Sequence, residues 1–421
     1  MLKTRVTQLV ALELWLVGIL LAGSIVSERI LPLTVGTAAG IWLLRWAVYR
    51  RRGRATPVDW AIGGLILCLP CNLWISALPA KTWPQLLRLL SGIAIYYALV
   101  NWANTKHQLR SLIYGAGGSG LLLIPIGIFS TKWIFNKLSF IPTALYAKLP
   151  QNIGSDPIHP NVLAGSLLIL LPPIMAYALW NRKTLNLWEK IFFGSSSFLI
   201  IATLGITQSR GGLIGLVVVL GLIVTLRYRR GWIVWLLELI ILLILIGSLG
   251  ITQFVNLISP TSSVVNSTNV RVEIWSRALF MIHDFPLTGV GMGLYGDITD
   301  SLYPFVVTAP GSAPHAHNLF LQIAVDLGIP ALIAWLAIFF LMGYISYQIY
   351  QWGQTHQDDW MAGLGCGLFC SQVALAVHGL FDAVTWGMVR PAPLVWGLWG
   401  LTAAAYNLIQ HWPTDPPTPS K

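Results

Sequence analysis

The sequence predicts an all-α, polytopic membrane fold, and three observations carry that reading. Over 421 residues the chain is 56% hydrophobic and only 10% charged, with a mean hydropathy of +0.70, whereas soluble domains carry about 25% charged residues. Its apolar residues come in runs of roughly 20, the length a helix needs to cross a bilayer; barrel strands would instead alternate over about ten residues. Its Lys and Arg residues cluster in the short segments between those runs, the distribution that orients membrane proteins. The same distribution excludes the nucleic-acid reading that a net charge of +11 invites. The abundant Trp, 20 residues, suits rings that anchor at both membrane interfaces.

In chain order, spans are expected near 8–26, 30–49, 58–78, 84–103, 109–129, 161–180, 190–208, 211–227, 231–252, 328–349, 361–381 and 391–410, about twelve helices in all. N-terminal helices then occupy 1–130, a first outer segment 131–160, central helices 161–252, and C-terminal helices 328–410. A large outer loop over 253–327 separates the ninth and tenth spans, and the Pro-rich 411–421 reads as a disordered tail. Lys3 and Arg5 precede an apolar run without a clear small-residue cleavage site. Cys68, Cys71, Cys366 and Cys370 lie inside apolar runs and read as small buried hydrophobes, forming neither a disulfide framework nor a zinc site.

Orientation follows from the basic residues. One side collects Lys3, Arg5, Arg45, Arg50, Arg51, Arg52, Arg54, Lys106, Arg110, Arg182, Lys183, Lys190, Arg227, Arg229 and Arg230. The other holds little more than Arg29, Lys81, Arg210 and Arg390. The basic side is cytoplasmic, with both termini there, and the long segments are outside. The loop near 350–360 has no Lys or Arg to report its side.

Polar constellations concentrate on the outer face. Arg210 opens an apolar run beside Ser209, Gly211 and Gly212, where small neighbours let a phosphate approach a guanidinium and a helix start; the plain alternative is a snorkelling anchor. Ser267 to Asn269 offer N-caps for a short helix with Arg271 in its first turn. Arg271 and Trp275, four apart, share a face. That segment also reads as an amphipathic helix on the membrane with Arg271 and Arg277 solvated. Glycines 289, 291, 293 and 296 resemble a nucleotide loop only weakly and read better as a flexible turn. His315 and His317 close the outer loop. An imidazole there can hydrogen-bond structurally, or take a proton from a hydroxyl near neutral pH. The outer carboxylates Asp156, Asp284, Asp297, Asp300 and Asp382 suggest no metal cluster.

His317-Asn318, a nine-residue gap, then Gly328-Ile-Pro-Ala331 resembles the signature of the O-antigen ligase and polymerase superfamily. "SRGG" at 209–212, "VRVEIW" at 270–275, "PLTGVGMG" at 286–293, "HPNVLAG" at 159–165 and "HGLFD" at 378–382 look like that family too. Ala331 stands where ligases usually carry Gly, Thr or Tyr. The resemblance implies catalytic roles for Arg210, Arg271 and His317, with Asn318, Trp275 and Asp382 as substrate-binding residues beside them. It implies a bacterial inner-membrane glycosyltransferase, without cofactor or metal. The donor would be a glycan on a polyprenyl diphosphate, clamped by the arginines; the acceptor, a lipid or glycan hydroxyl deprotonated by His317, with inversion at the anomeric carbon. Lipid A-core, a growing polysaccharide or a protein hydroxyl would each fit as acceptor.

Two other classes stay open. Some relatives of the superfamily have carried a bicarbonate-transporter label, but a transporter should place charged or broken helices at mid-membrane. Glu13, Arg45, Arg88 and Glu238 are scattered, mostly near span ends. A non-catalytic glycan-binding scaffold is the third class. The orientation itself is open to test: cysteines placed at Ser262 and Ser301 should react with an impermeant maleimide in intact cells. Labelling of both only after lysis would overturn the topology.

Overall fold

The computed structural model describes residues 9–51, 53–133, 138, 141–150, 158–249, 261–306, 311, 313–387 and 391–411, giving the backbone alone for Val26 and 261–269. Lys3, Arg5, Arg52, Asp156, Arg390 and the tail beyond 411 lie outside the described residues, as does most of 131–160 between Trp133 and Ile158. The described chain is helical, without a strand; one parallel bridge joins Thr131 to Ile158.

Each expected span coincides with a helix. They are α1 (Glu13–Val26), α2 (Leu31–Tyr49), α3 (Asp59–Ile75), α4 (Pro79–Trp102) and α5 (Lys106–Ser130). After the one-turn α6 (Ala144–Ala147) come α7 (Pro160–Trp180), α8 (Leu187–Thr207), α9 (Arg210–Arg227) and α10 (Ile233–Leu249). Beyond α11 (Thr261–Asp284) and α12 (Tyr295–Leu302) run α13 (Leu319–Thr355), α14 (Asp359–Gly379) and α15 (Pro393–Gln410). Seven helices among the described residues are long and apolar enough to cross a membrane: α2 with the turn before it, α5, α7, α8, α9, α13 and α14. The chain is a multi-pass membrane protein.

Local chemistry sets several boundaries. Asn186 and Glu189 close a capping box at the start of α8, which satisfies two otherwise orphaned N–H groups. Ser209 caps α9 through the Gly212 amide. The centre of the bundle is α7 and α14, buried along most of their length. Helix α10 has no buried residue, as an apolar helix facing lipid would.

The bundle has two chemically different ends. At one, Glu13 pairs with Arg45, Lys106 with Asp358, and Arg110 with Glu189, while Arg227 lies 5.1 Å over the Trp180 ring. The Lys106–Asp358 pair places the 350–360 loop, which carries no basic residue, at this basic end. At the other end, Lys81 pairs with Asp297 and Asn161 with Asp382, and Arg88 reaches the Gly387 carbonyl at 2.5 Å and Glu28. Of the four charges expected to lie scattered in spans, Glu13, Arg45 and Arg88 therefore have partners.

Three expectations change. Helix α11 is not a short helix starting near Arg271: it already runs from Thr261, so Ser267 to Asn269 lie in its interior and Arg271 is past its first turn. Ser, Thr and Asn disfavour a helix interior by only about 0.5 kcal/mol each, too little to delay its start. The Gly-rich stretch is no flexible loop. Val290, Met292 and Leu294 are buried, and Gly289, Gly291 and Gly293 hold φ of +66°, +108° and +80°. Cys71 is exposed and Cys68 half-buried on α3; only Cys366 and Cys370 are buried.

That glycine turn lies against a break in α13. Gly328 takes φ 81° and ψ 173° inside the helix, a region essentially confined to glycine. A Cβ on Gly328 would meet the Leu287 carbonyl carbon at 2.6 Å, and one on Gly289 the Asp326 carbonyl at 2.5 Å. The positive φ at each position also strains any side chain. Gly289→Ala and Gly328→Ala should each lower thermal stability in detergent, at a cost of about 1–3 kcal/mol in backbone strain alone. Gly247→Ala, in open space on α10, should be neutral or stabilising. Equal melting temperatures for all three would contradict the packed-turn description.

Candidate active site

The site forms where four segments meet at the end opposite the basic loops. Small residues permit the meeting. A Cβ on Gly211 would strike Phe381 at 2.9 Å, and one on Gly165 the His378 ring at 3.0 Å. Glycine at both places lets the starts of α7 and α9 close onto 378–384, so Arg210, the first residue of α9, stands beside the segment that carries Asp382.

Helix α11 joins through the core it shares with the histidine loop. Ala316 packs with Ile274 and Ala278 of α11 and with Tyr295, whose hydroxyl donates to the Ile274 carbonyl at 2.8 Å. Arg271 lies one turn before Ile274. The Arg271 charge acts on Arg210, which is half-buried, so the two guanidinium groups lie within electrostatic reach of each other. On the same helix, the Trp275 indole N–H is buried and donates to nothing among the described residues. Arg277 is otherwise engaged, with Glu273 at 3.7 Å and the Pro304 carbonyl at 3.2 Å.

The histidine loop is tightly determined. His317 takes φ +47°, uncommon for a residue with a Cβ. Its amide donates to His315 Nδ1 at 3.2 Å, and the two rings lie 4.1 Å apart, tilted by 52°. Asn318 caps α13, its Oδ1 accepting from the Phe320 and Leu321 amides at 3.0 and 3.1 Å, while its Nδ2 donates to the Leu380 carbonyl at 3.3 Å. Both ends of that amide are thus committed within the protein.

Asp382 is the hub. It sits just beyond α14, with its amide bonded to the His378 carbonyl, and is 2% exposed. Its carboxylate accepts from Asn161 Nδ2 at 2.5 Å and from the Ala383 amide at 2.9 Å. His317 Nδ1 lies 3.5 Å and His315 Nε2 3.6 Å from Oδ1. The partners assign the tautomers. His315 Nδ1 accepts a bond, so its proton is on Nε2, facing the carboxylate. His317 presents Nδ1–H to the carboxylate, leaving Nε2 an acceptor with no partner among the described residues.

Electrostatics agree. Burial lowers the His315 pKa to about 4, helped by the positive charges of His317 and His159 and opposed by Asp382. Burial alone would raise Asp382, but the hydrogen bond from His317 and the charges of His315, His317 and His378 hold it well below the usual carboxylate range. The ligand atoms of His315, His317 and Asp382 all lie within 4.8 Å of one another, a spacing suited to a metal ion. The sequence suggested no such cluster, because Asp382 arrives from a different helix end.

The structure thus gathers His317, Asn318 and Asp382 around one point and keeps Arg210 and Arg271 within electrostatic reach of each other. The sequence reading passed over Asn161, although it quoted the surrounding motif, and gave Asp326 and Gln322 no part. Residues 195–336 match the family model described as O-Antigen ligase. The match supports membership of the O-antigen ligase superfamily. It takes in Arg210, Arg271, Trp275, His317 and Asn318, while Asn161 and Asp382 of the site lie outside it. No curated protein matches the chain.

His315 sets a pH dependence. As pH falls through about 6.5, an unfolded histidine takes up a proton, whereas folded His315 resists until about 4. Its contribution to stability is full above the unfolded value and is lost across that window as pH falls. His315→Gln should make the decline in melting temperature between about pH 6.5 and pH 4 shallower than in the parent. Parallel declines would show that His315 is not buried neutral.

Proposed function

We propose that the chain transfers a glycan from a polyprenyl-diphosphate donor to an acceptor hydroxyl at the periplasmic face of the bacterial inner membrane. The superfamily match supports glycosyl transfer in general terms. The observation that carries the finer reading is the buried Asp382 carboxylate, which orients His317 with Nε2 unprotonated at the same end of the bundle as the Arg210–Arg271 pair.

The donor diphosphate lies between the two guanidinium groups, which neutralise it and stabilise the charge that grows as it leaves. The acceptor O–H points at His317 Nε2. Its oxygen forms the new bond to the anomeric carbon as the bond from that carbon to the diphosphate oxygen breaks. The proton goes to Nε2, and polyprenyl diphosphate departs without needing a general acid. Direct displacement inverts the anomeric centre. Asp382 keeps its ionised form, fixes the tautomer and stabilises the imidazolium that forms. With their polar atoms already engaged, Asp382 and Asn318 serve as positioning residues, while Trp275 lines the donor side with its indole N–H available. The Asp382 oxygens already accept from Asn161 and the Ala383 amide and face both imidazoles at 3.5 and 3.6 Å, and in this reading the reaction runs without a metal. The basic end of the bundle is cytoplasmic in this reading.

The experiment is transfer by purified protein from a polyprenyl-diphosphate glycan, with and without chelator. His317→Ala should abolish transfer and leave donor binding largely intact, since a general base contributes about a hundred- to ten-thousand-fold. Arg210→Lys and Arg271→Lys should each lose much of the rate, because an ammonium cannot reproduce a bidentate fork; Arg277→Ala should be mild. Normal transfer by His317→Ala, or equal tolerance of alanine at all three arginines, would defeat the mechanism. Loss of transfer on chelation, restored by a divalent cation, would assign His315, His317 and Asp382 to a metal instead.

A further inference from the structure

A second buried carboxylate lies just behind the site. Asp326 is fully buried on the first segment of α13, as is Gln322 one turn before it on the same face. Asp326 Oδ1 accepts from Gln322 Nε2 at 2.8 Å and from the Gly293 amide at 3.1 Å; Oδ2 accepts from Trp386 Nε1 at 2.8 Å. The donors come from α13 itself, from the glycine turn, and from the segment that carries Asp382. Asn72 of α3 ties the same place down: its Nδ2 donates to the Asp326 carbonyl at 2.6 Å, and its Oδ1 accepts from the Met292 amide at 3.0 Å.

Gln322 carries this anchorage into the site. Its Oε1 accepts from the Ala316 amide at 2.7 Å. Ala316 lies between the two histidines and immediately precedes His317, whose φ of +47° is the strained feature of the loop. A histidine does not hold that conformation unaided. The side-chain amide of Gln322 can serve Ala316 only with its oxygen outward, and Asp326, accepting from the nitrogen, fixes that orientation. The carboxylate thus sets the direction of a two-link chain of hydrogen bonds ending at the backbone of the proposed base.

We propose that Asp326 and Gln322 are positioning residues for glycan transfer, which hold His317 in register with Asp382 through the Asp326–Gln322–Ala316 hydrogen-bond chain. The proposal rests on the reading of His317 as the base. It makes a demand that a purely structural role does not: the rate should follow the presence of an acceptor for the Ala316 amide, whatever side chain supplies it. Gln322→Met has nearly the parent shape and no acceptor. The double variant Q322E/D326N reverses the polarity of the link. A carboxylate at 322 accepts from both Ala316 and the new amide at 326, whose oxygen remains for Trp386, while the Gly293 amide loses its acceptor at 326.

Two readouts are needed in purified full-length protein: steady-state transfer, and hydrogen exchange of the peptide spanning 313–321. Gln322→Met should lose about 10- to 100-fold in kcat, the penalty for misplacing a catalytic group by about an ångström, with KM for the donor nearly unchanged. Exchange at Ala316 should quicken by about tenfold, as for one lost hydrogen bond. Q322E/D326N should recover part of both, because the Gly293 amide stays without its acceptor, and D326N alone should be impaired in both. Parental kcat and exchange in Gln322→Met overturn the proposal, as does a double variant no better than Gln322→Met. If Gln322→Met does not fold, D326N against Q322E/D326N decides, and equal rates and exchange in the two overturn it. Exchange makes no reference to chemistry. A parent that exchanges as expected yet transfers no glycan would sink the reaction proposed above and leave the hydrogen-bond chain standing.

Discussion

A carboxylate taken out of water must be surrounded by donors, and that requirement organises the polar end of this bundle. Desolvating an ionised group is costly unless hydrogen bonds and opposite charge replace the lost water. Asp382 meets the cost with Asn161, the Ala383 amide and two imidazoles; Asp326 meets it with Gln322, Trp386 and the Gly293 amide. Each set draws donors from segments distant in sequence. Satisfying the two carboxyl groups therefore fixes how α7, the glycine turn, the histidine loop and the segment after α14 sit against one another. The glycines are the complement of this constraint. At 165, 211, 289 and 328 they remove the side chains that would hold the backbones apart.

Much of the fold was legible because membrane helices announce themselves by run length. All expected spans coincide with helices, although among the described residues only seven satisfy length and apolarity together. Helices such as α3 and α10 are shorter, and α4 is interrupted by polar residues, Arg88 among them, whose partners the sequence does not reveal. The start of α11 was misplaced since Ser, Thr and Asn signal a cap only weakly. The buried glycine turn was read as flexible because its packing surface, the break in α13, is itself a tertiary feature.

The candidate site was legible in its residue types and not in its wiring. His317, Arg210 and Arg271 stand out because imidazoles and guanidinium groups are conspicuous at the edge of apolar runs. The dependence of His317 on Asp382 could not be read from spacing, since one precedes α13 and the other follows α14. Asp326 sits inside "NLFLQIAVDLGIPA", where an isolated carboxylate four residues after a glutamine looks like ordinary helix polarity. Only its complete burial, with three donors converging on it, separates it from a surface residue. Asn161 shows the opposite failing: its motif was seen, but nothing in the sequence connects it to Asp382.

The central claim is spatial: one end of the bundle holds a diphosphate between Arg210 and Arg271 with its glycan presented to His317. An electron cryomicroscopy structure of the His317→Ala variant with a polyprenyl-diphosphate glycan tests this most directly. The account predicts diphosphate density in contact with both guanidinium groups, the lipid leaving into the bilayer beside α9, and the anomeric carbon facing position 317. Diphosphate bound at the basic end of the bundle, or an anomeric carbon turned away from position 317, would contradict it.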